Sequence, residues 1–202
     1  VGVAEISSSN ELIGIEEKPN NPKSNLAVTG IYFFKNKILN EIEKIKFSKR
    51  GELEITDAIF NTMENGYVKG LKLEGWWIDT GSLKQVLEAN SLILGEIING
   101  NYTDLYKDYE LNQNCLVGIN SKLENVNING FAIIGHNTVL KSTEINNNVS
   151  IHNDINIINS SISNSIILEK NSCDNFEIEN SLVGLKKYKK GVNNKIKDII
   201  DA

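Results

Sequence analysis

Apolar residues in the first half of the chain alternate between strand-like and helix-like spacing. Val1 to Ile6 and Leu12 to Glu17 read as two short strands, and Ser7-Ser8-Ser9-Asn10 between them has turn chemistry, which predicts a hairpin. Leu26 to Phe34, rich in Val, Ile, Tyr and Phe, reads as a strong strand after a Pro19-Asn20-Asn21-Pro22 loop. Ile38, Ile42 and Ile45 share one helical face, as do Ile55, Ile59, Phe60 and Met63, and Tyr67 to Leu73 returns to strand spacing. Ser82 and Gln85 have the spacing of a capping box, and Val86, Ala89, Asn90, Ile93 and Ile97 follow at helical intervals, predicting a helix from Ser82 to about Ile97. Strands mixed with helices indicate an α/β or α+β unit.

After residues 99–114, which hold no sustained period and read as a linker, the pattern changes. The series Val117, Leu123, Ile128, Ile134, Leu140, Ile145, Ile151, Ile157, Ile162, Ile167, Cys173, Ile178 and Val183 advances by five or six residues at every step. Neither a helix nor a flat sheet has that period. A hexapeptide repeat does: it winds into a parallel β-helix in which each strand sends one aliphatic side chain inward, here for about four coils. Asn120, Asn137, Asn147, Asn148, Asn153 and Asn171 fall between the aliphatics, where left-handed or Asx corners are needed. The predicted domains are 1–98, a linker at 99–114, a β-helix at 115–184 and a tail at 185–202. The tail, with Lys186, Lys187, Lys189 and Lys190 before a short amphipathic pattern, reads as a solvated cap on the last coil rather than a membrane anchor.

Composition narrows the function classes. The net charge of −5, with no basic cluster before the tail, argues against nucleic acid as a partner. Two cysteines, far apart and without metal-site spacing, read as reduced buried thiols of a cytoplasmic protein. No apolar run approaches the roughly eighteen residues of a membrane helix. Strand-like alternation starts at Val1 and the single methionine is Met63, so the chain is expected to be part of a longer protein.

Three stretches of the first half carry candidate chemistry: Glu17-Lys18-Pro19, Arg50 through Asp57, and Asp79 within GWWIDTG. Taken singly, each has a local explanation: a solvated turn at a strand end, or carboxylates that cap and charge a helix start. Taken in order, EEKP, SNLAVTGIYFF, RGELEITDAI, WWIDTG and the following LEAN resemble the later part of the sugar-1-phosphate nucleotidyltransferases, nearest to the glucose-1-phosphate thymidylyltransferases. The repeat half resembles the left-handed β-helix of longer members of that superfamily.

The resemblance implies a Rossmann-like α/β catalytic domain, of which this chain holds the C-terminal part, followed by a left-handed parallel β-helix. It implies attack by the phosphate oxygen of a sugar 1-phosphate on the α-phosphorus of a nucleoside triphosphate, with Mg²⁺ as cofactor and pyrophosphate as leaving group. The expected substrates are dTTP and glucose 1-phosphate, in nucleotide-sugar and polysaccharide biosynthesis. By matching position, Lys18 contacts the sugar phosphate and Glu17 accepts sugar hydroxyls. Gly2, Val28 and Tyr32 line the sugar pocket, Arg50 lies near the phosphate, and Asp79 is one of two Mg²⁺-binding aspartates. The family's glycine-rich nucleotide loop and its other aspartate belong to an earlier segment, so this chain alone is expected to be inactive. Two other roles stand beside this one for the repeat half. One is an acyltransferase using His136 or His152 as general base. The other is an assembly or regulatory module that favours a homo-oligomer, since solenoids expose edges.

Overall fold

The computed structural model describes residues 1–168, 172–184 and 194–200, the last of these by backbone alone. The chain forms two compact units, Val1–Trp77 and Ile78–Ala202.

In the first unit the expected hairpin forms. Strands β1 (Gly2–Ile6) and β2 (Leu12–Glu17) pair antiparallel with Gly2 opposite Glu17, and β3 (Leu26–Ala27) pairs on the other side of β1. Helix α1 (Ile38–Ile42) packs on α2 (Ile55–Glu64), and α2 packs on β2. Leu12, Ile38, Ala58 and Ile59 are the buried apolar residues at these contacts.

Two predicted strands are much shorter than their propensity suggested. The pairing of residues 26–28 with β1 reaches its end where the Val28 amide donates to the Gly2 carbonyl at 2.9 Å. Past Val28, no strand of the described residues pairs with 29–34, and Ile31 and Phe33 stand exposed. Strand propensity expresses side-chain packing against neighbours, so without a neighbour it does not build a strand. Tyr67 to Leu73 is likewise reduced to a single bridge between Glu11 and Lys69, with Leu71 exposed.

The second unit opens with α3 (Leu83–Ile98). Its N-cap is Ser82, whose hydroxyl accepts from the Gln85 amide at 3.4 Å and also bonds the Gln85 side chain at 2.7 Å. The buried face of α3 runs through Leu87, Leu94 and Ile97, with Asn90 between them bonded to the repeat half, while Ile93 of the expected stripe is exposed. Residues 99–114 contain a short 3₁₀ turn at Thr103–Leu105 and strand β4 (Tyr109–Asn112), antiparallel to β5 (Cys115–Gly118).

From β5 onward the described residues form a parallel β-solenoid, in keeping with the left-handed β-helix that the hexapeptide spacing predicts. One face stacks β5, β8 (Ala132–Ile134), β11 (Val149–Ile151) and β14 (Ile166–Ile167). The second stacks β6 (Lys122–Glu124), β9 (Val139–Lys141), β12 (Asn156–Ile158) and β15 (Ser172–Asp174). The third stacks β7 (Asn127–Asn129), β10 (Glu144–Asn146) and β13 (Ser161–Ser163), and the long β16 (Phe176–Val183) turns a corner to continue the first and third faces. In register, Cys115 lies under Ala132 and Val149, and Leu123 under Leu140, Ile157 and Cys173. Ten members of the aliphatic series, Ile134 through Val183, are at most 2% exposed. The first three, Val117, Leu123 and Ile128, lie in the first coil and are partly buried.

Between strands the backbone enters the left-handed region at Asn120, Asn125, Asn137, Ser142, Asn147, Asp154, Asn159, Asn164, Asn175 and Asn180. Asparagine and aspartate tolerate that region through local side-chain hydrogen bonding. Gly130 takes a corner at φ 137°, where a β-carbon would come within 2.9 Å of the Asn147 backbone. Of the asparagines singled out from the sequence, Asn148 and Asn153 instead bond neighbouring segments through their side chains, and Asn171 lies outside the described residues.

A second device was not visible in the aliphatic period. Thr138, Thr143, Ser160, Ser165 and Ser181 are buried next to the corners, and the last four donate to the carbonyl two residues earlier at 2.7–2.9 Å. Amides of the next coil return to three of them: Ile155 to Thr138, Phe176 to Ser160, and Ser181 to Ser165. Each buried hydroxyl is therefore satisfied, and those of Thr138, Thr143, Ser160 and Ser165 also tie one coil to the next. At the far end β17 (Asn194–Ile200) pairs parallel with β16 as a further rung, so part of the predicted cap is a strand. Lys186, Lys187, Lys189 and Lys190 lie outside the described residues.

Candidate functional site

Sheet pleating in the first unit brings the sugar-side candidates together around Gly2. A β-carbon built on Gly2 would stand 3.0 Å from the Thr56 methyl, 3.2 Å from the Glu17 carboxylate and 3.4 Å from a Val28 methyl. The register Gly2 to Glu17 and the Gly2 to Val28 hydrogen bond set three of these groups side by side. The first turn of α2 supplies the fourth: Thr56, only 2% exposed, donates to the Glu17 carboxylate at 3.5 Å. Thr56 was not singled out from the sequence, although it lies inside the RGELEITDAI motif. Tyr32 stacks on Phe34 at 5.5 Å, and burial followed by the Glu17 charge pushes its phenol above the ordinary value. Gly2, Glu17, Val28 and Thr56 thus form one neighbourhood with a carboxylate and a hydroxyl, and Tyr32 lies near enough to feel the Glu17 charge.

Lys18 ends this strand in an uncommon backbone state. Its φ is 41°, in the left-handed region, directly before Pro19. A side-chain-bearing residue pays a steric cost there, and such positions collect at binding sites. Arg50 sits on a turn closed by the Gly51 amide to the Ser48 carbonyl, and its guanidinium contacts Glu52 at 2.6 Å and Glu54 at 3.4 Å. Glu54 in turn accepts from the Ser48 hydroxyl at 3.0 Å. Arg50 is engaged with carboxylates of its own loop.

Asp79 belongs to the second compact unit, while the other candidates belong to the first. Its carboxylate is exposed and accepts from the Gly81 amide at 3.2 Å, a turn contact leading into α3, and Ser82 rather than Asp79 caps the helix. Just upstream, the Trp77 indole donates to the Thr29 carbonyl at 3.2 Å. Mg²⁺ requires about six oxygen ligands in near-octahedral array. Among the described residues no group of three histidines, cysteines, aspartates or glutamates converges, so Asp79 offers one carboxylate and no complete protein cage.

In the solenoid, His136 packs on Tyr109 at 4.6 Å and its Nδ1 accepts from the Ile119 amide at 2.8 Å. That bond leaves the ring proton of neutral His136 on Nε2, which is then a donor. A general base needs the opposite tautomer. Burial raises the thiols of Cys115 to about 12 and Cys173 to about 11, so neither is a nucleophile near neutrality. No helix of the described residues is long and apolar enough to cross a membrane.

Comparison with known proteins adds to this geometry. Residues 1–96 match the family described as Nucleotidyl transferase. Bifunctional protein GlmU of Methanocaldococcus jannaschii is 49% identical over 96 residues, covering 48% of this chain and 24% of the relative. Glucose-1-phosphate thymidylyltransferase of Streptomyces antibioticus is 43% identical over 97 residues, 48% of this chain and 27% of the relative. Low-salt glycan biosynthesis nucleotidyltransferase Agl11 of Haloferax volcanii is 44% identical over 94 residues, 46% of this chain and 26% of the relative. The chain thus spans about a quarter of the length of these relatives. Over residues 1–96 this chain is similar to the nucleotidyl transferase family, and a parallel β-solenoid follows that stretch.

Proposed function

We propose that residues 1–98 supply the sugar-phosphate side of a nucleotidyl transfer site, acting on glucose 1-phosphate with dTTP as nucleotidyl donor. The observation that carries this reading is the cluster around Gly2: a backbone without a side chain, beside a carboxylate held by a buried hydroxyl. Such a cluster offers sugar hydroxyls a carboxylate acceptor whose position a side chain at residue 2 would disturb. In this reading Glu17 accepts hydrogen bonds from the sugar, and Val28 and Tyr32 shape the pocket. Lys18 and Arg50 neutralise the phosphate, because anionic charge from both substrates converges on one phosphorus.

The sugar phosphate oxygen attacks the α-phosphorus of the triphosphate in line, and pyrophosphate leaves with the bonding electrons. Asp79 contributes one carboxylate to Mg²⁺, which when bound would offset phosphate charge. In this reading a nucleotide-binding loop and a second aspartate are supplied by a further segment of the enzyme, without which the present residues do not turn over. The similarity to a glucose-1-phosphate thymidylyltransferase supports the choice of substrates.

The test is pyrophosphate release from dTTP and glucose 1-phosphate by a chain in which these residues are joined to the family's nucleotide-binding segment. Turnover that falls on replacing Glu17 or Lys18 supports the proposal. No turnover with any nucleoside triphosphate and sugar phosphate removes it.

For the solenoid we infer an assembly role in a cytoplasmic homo-oligomer. The Nδ1 of His136, already accepting from the Ile119 amide, speaks against acyl transfer by that residue. Acetyl transfer lost in His136→Ala or His152→Ala would reverse that judgement, and an unchanged oligomer after removal of residues 112–202 would end the assembly role.

A further inference from the structure

We propose that Glu52 is an internal counter-ion which occupies Arg50 until a phosphate displaces it, so that the loop carries its own competitor for the substrate anion. The proposal rests on the reading of Arg50 as a phosphate ligand. Its two carboxylate partners differ in kind. Glu54 has a side chain only 11% exposed and is fixed from behind by the Ser48 hydroxyl, so it anchors the guanidinium. Glu52 has a side chain 57% exposed and meets Arg50 at 2.6 Å, the shorter of the two contacts.

A carboxylate and a phosphate each offer paired oxygens to the guanidinium fork, so one can replace the other on the same N–H groups. The loop can release the Glu52 side chain without unfolding, because the turn closes through backbone: the Ser48 amide donates to the Glu52 carbonyl at 2.9 Å, and Gly51 to the Ser48 carbonyl at 2.9 Å. Glu54 keeps the guanidinium oriented while Glu52 leaves. Glu54 is thus a positioning residue and Glu52 an exchangeable one.

The experiment is a titration of the full chain with inorganic phosphate, and separately with glucose 1-phosphate, followed through the Arg50 side-chain Nε–H resonance and the dissociation constant. Glu52→Gln keeps the backbone turn and removes the competing charge, so phosphate should bind roughly two- to fivefold more tightly, the scale of an exposed ion pair. In an Arg50→Gln background the same substitution should change affinity by less than roughly 1.5-fold, since the two effects share one group. Glu52→Ala should act in the same direction as Glu52→Gln.

Unchanged or weaker binding in both Glu52 variants overturns the proposal while leaving Arg50 as a phosphate ligand. An equal gain in the Arg50→Gln background also overturns it, assigning the effect to general surface charge. If Arg50→Gln itself leaves phosphate affinity unchanged, both the proposal and the role of Arg50 beneath it fall.

Discussion

Replacing Lys18 by glycine should make the first unit more stable and a poorer binder of sugar phosphate. The backbone at Lys18 has φ 41°, and a β-carbon in the left-handed region costs about 1–2 kcal/mol. Glycine removes that cost but adds about 0.4–1 kcal/mol of chain entropy to the unfolded state. The net expectation is a gain of about 1 kcal/mol over Lys18→Ala, which keeps the β-carbon. Trp76 and Trp77 both lie in the first unit, so tryptophan fluorescence in urea reports on that unit. With a slope of about 2 kcal/mol per molar urea, the midpoint of Lys18→Gly should exceed that of Lys18→Ala by about 0.5 M. Both variants lose the ammonium, worth about 1.5–3 kcal/mol in a charged hydrogen bond, and should bind glucose 1-phosphate roughly ten- to a hundredfold more weakly. A glycine variant no more stable than the alanine variant would refute the strain, and unchanged sugar-phosphate affinity in both would refute the role of Lys18.

Three further outcomes follow from the solenoid. Gly135→Ala should destabilise the second unit by about 2 kcal/mol or more, because the new carbon would lie 2.5 Å from the Asn153 side chain and from the His152 backbone. Urea denaturation followed by far-ultraviolet circular dichroism checks this. Ile157→Ala, at a position with no exposure and stacked between Leu140 and Cys173, should cost about 2–5 kcal/mol in the same assay. For the thiols the sign is fixed by burial, which pushes Cys115 up to about 12 and Cys173 up to about 11 in the folded chain, from the ordinary 9.0 that holds when unfolded. Their contribution is level below the unfolded value and falls as pH rises past it, because only the unfolded thiols then lose protons. At pH 8 both should resist iodoacetamide until the chain unfolds, which mass spectrometry across a urea series can read.

The aliphatic series made the solenoid legible because its cause is one-dimensional. Each strand needs one inward side chain, so Ile134, Leu140 and Ile145 keep their spacing whatever surrounds them. Helix α3 was legible for a similar reason: Ser82 and Gln85 are a local contact. What the sequence concealed depends on neighbours. Leu26 to Phe34 has strand composition, but pairing with β1 ends at Val28 and Gly2. Helix α3 carries apolar residues on more than one side, and the bonds of Asn90 to Ser150 and of Asn148 to Ser91 mark the side that meets the solenoid. The buried hydroxyls of Thr143, Ser160 and Ser165 look like surface residues until the carbonyls they satisfy are seen.

In the candidate site, motif order marked Glu17, Lys18 and Arg50. Folding added Thr56 behind Glu17, and the carboxylates holding Arg50, which only the loop geometry reveals. Asp79 was marked by its motif, and its observed bond to the Gly81 amide is the local turn contact that a lone carboxylate before a helix can make.

The most direct measurement of the central claim is a nuclear magnetic resonance titration of the chain with glucose 1-phosphate. Saturable shifts confined to the first unit, at Gly2, Glu17, Lys18, Val28 and Tyr32, and lost in Lys18→Ala, are the predicted result. No saturable shift at those residues, or shifts centred on the solenoid around His136, would contradict it.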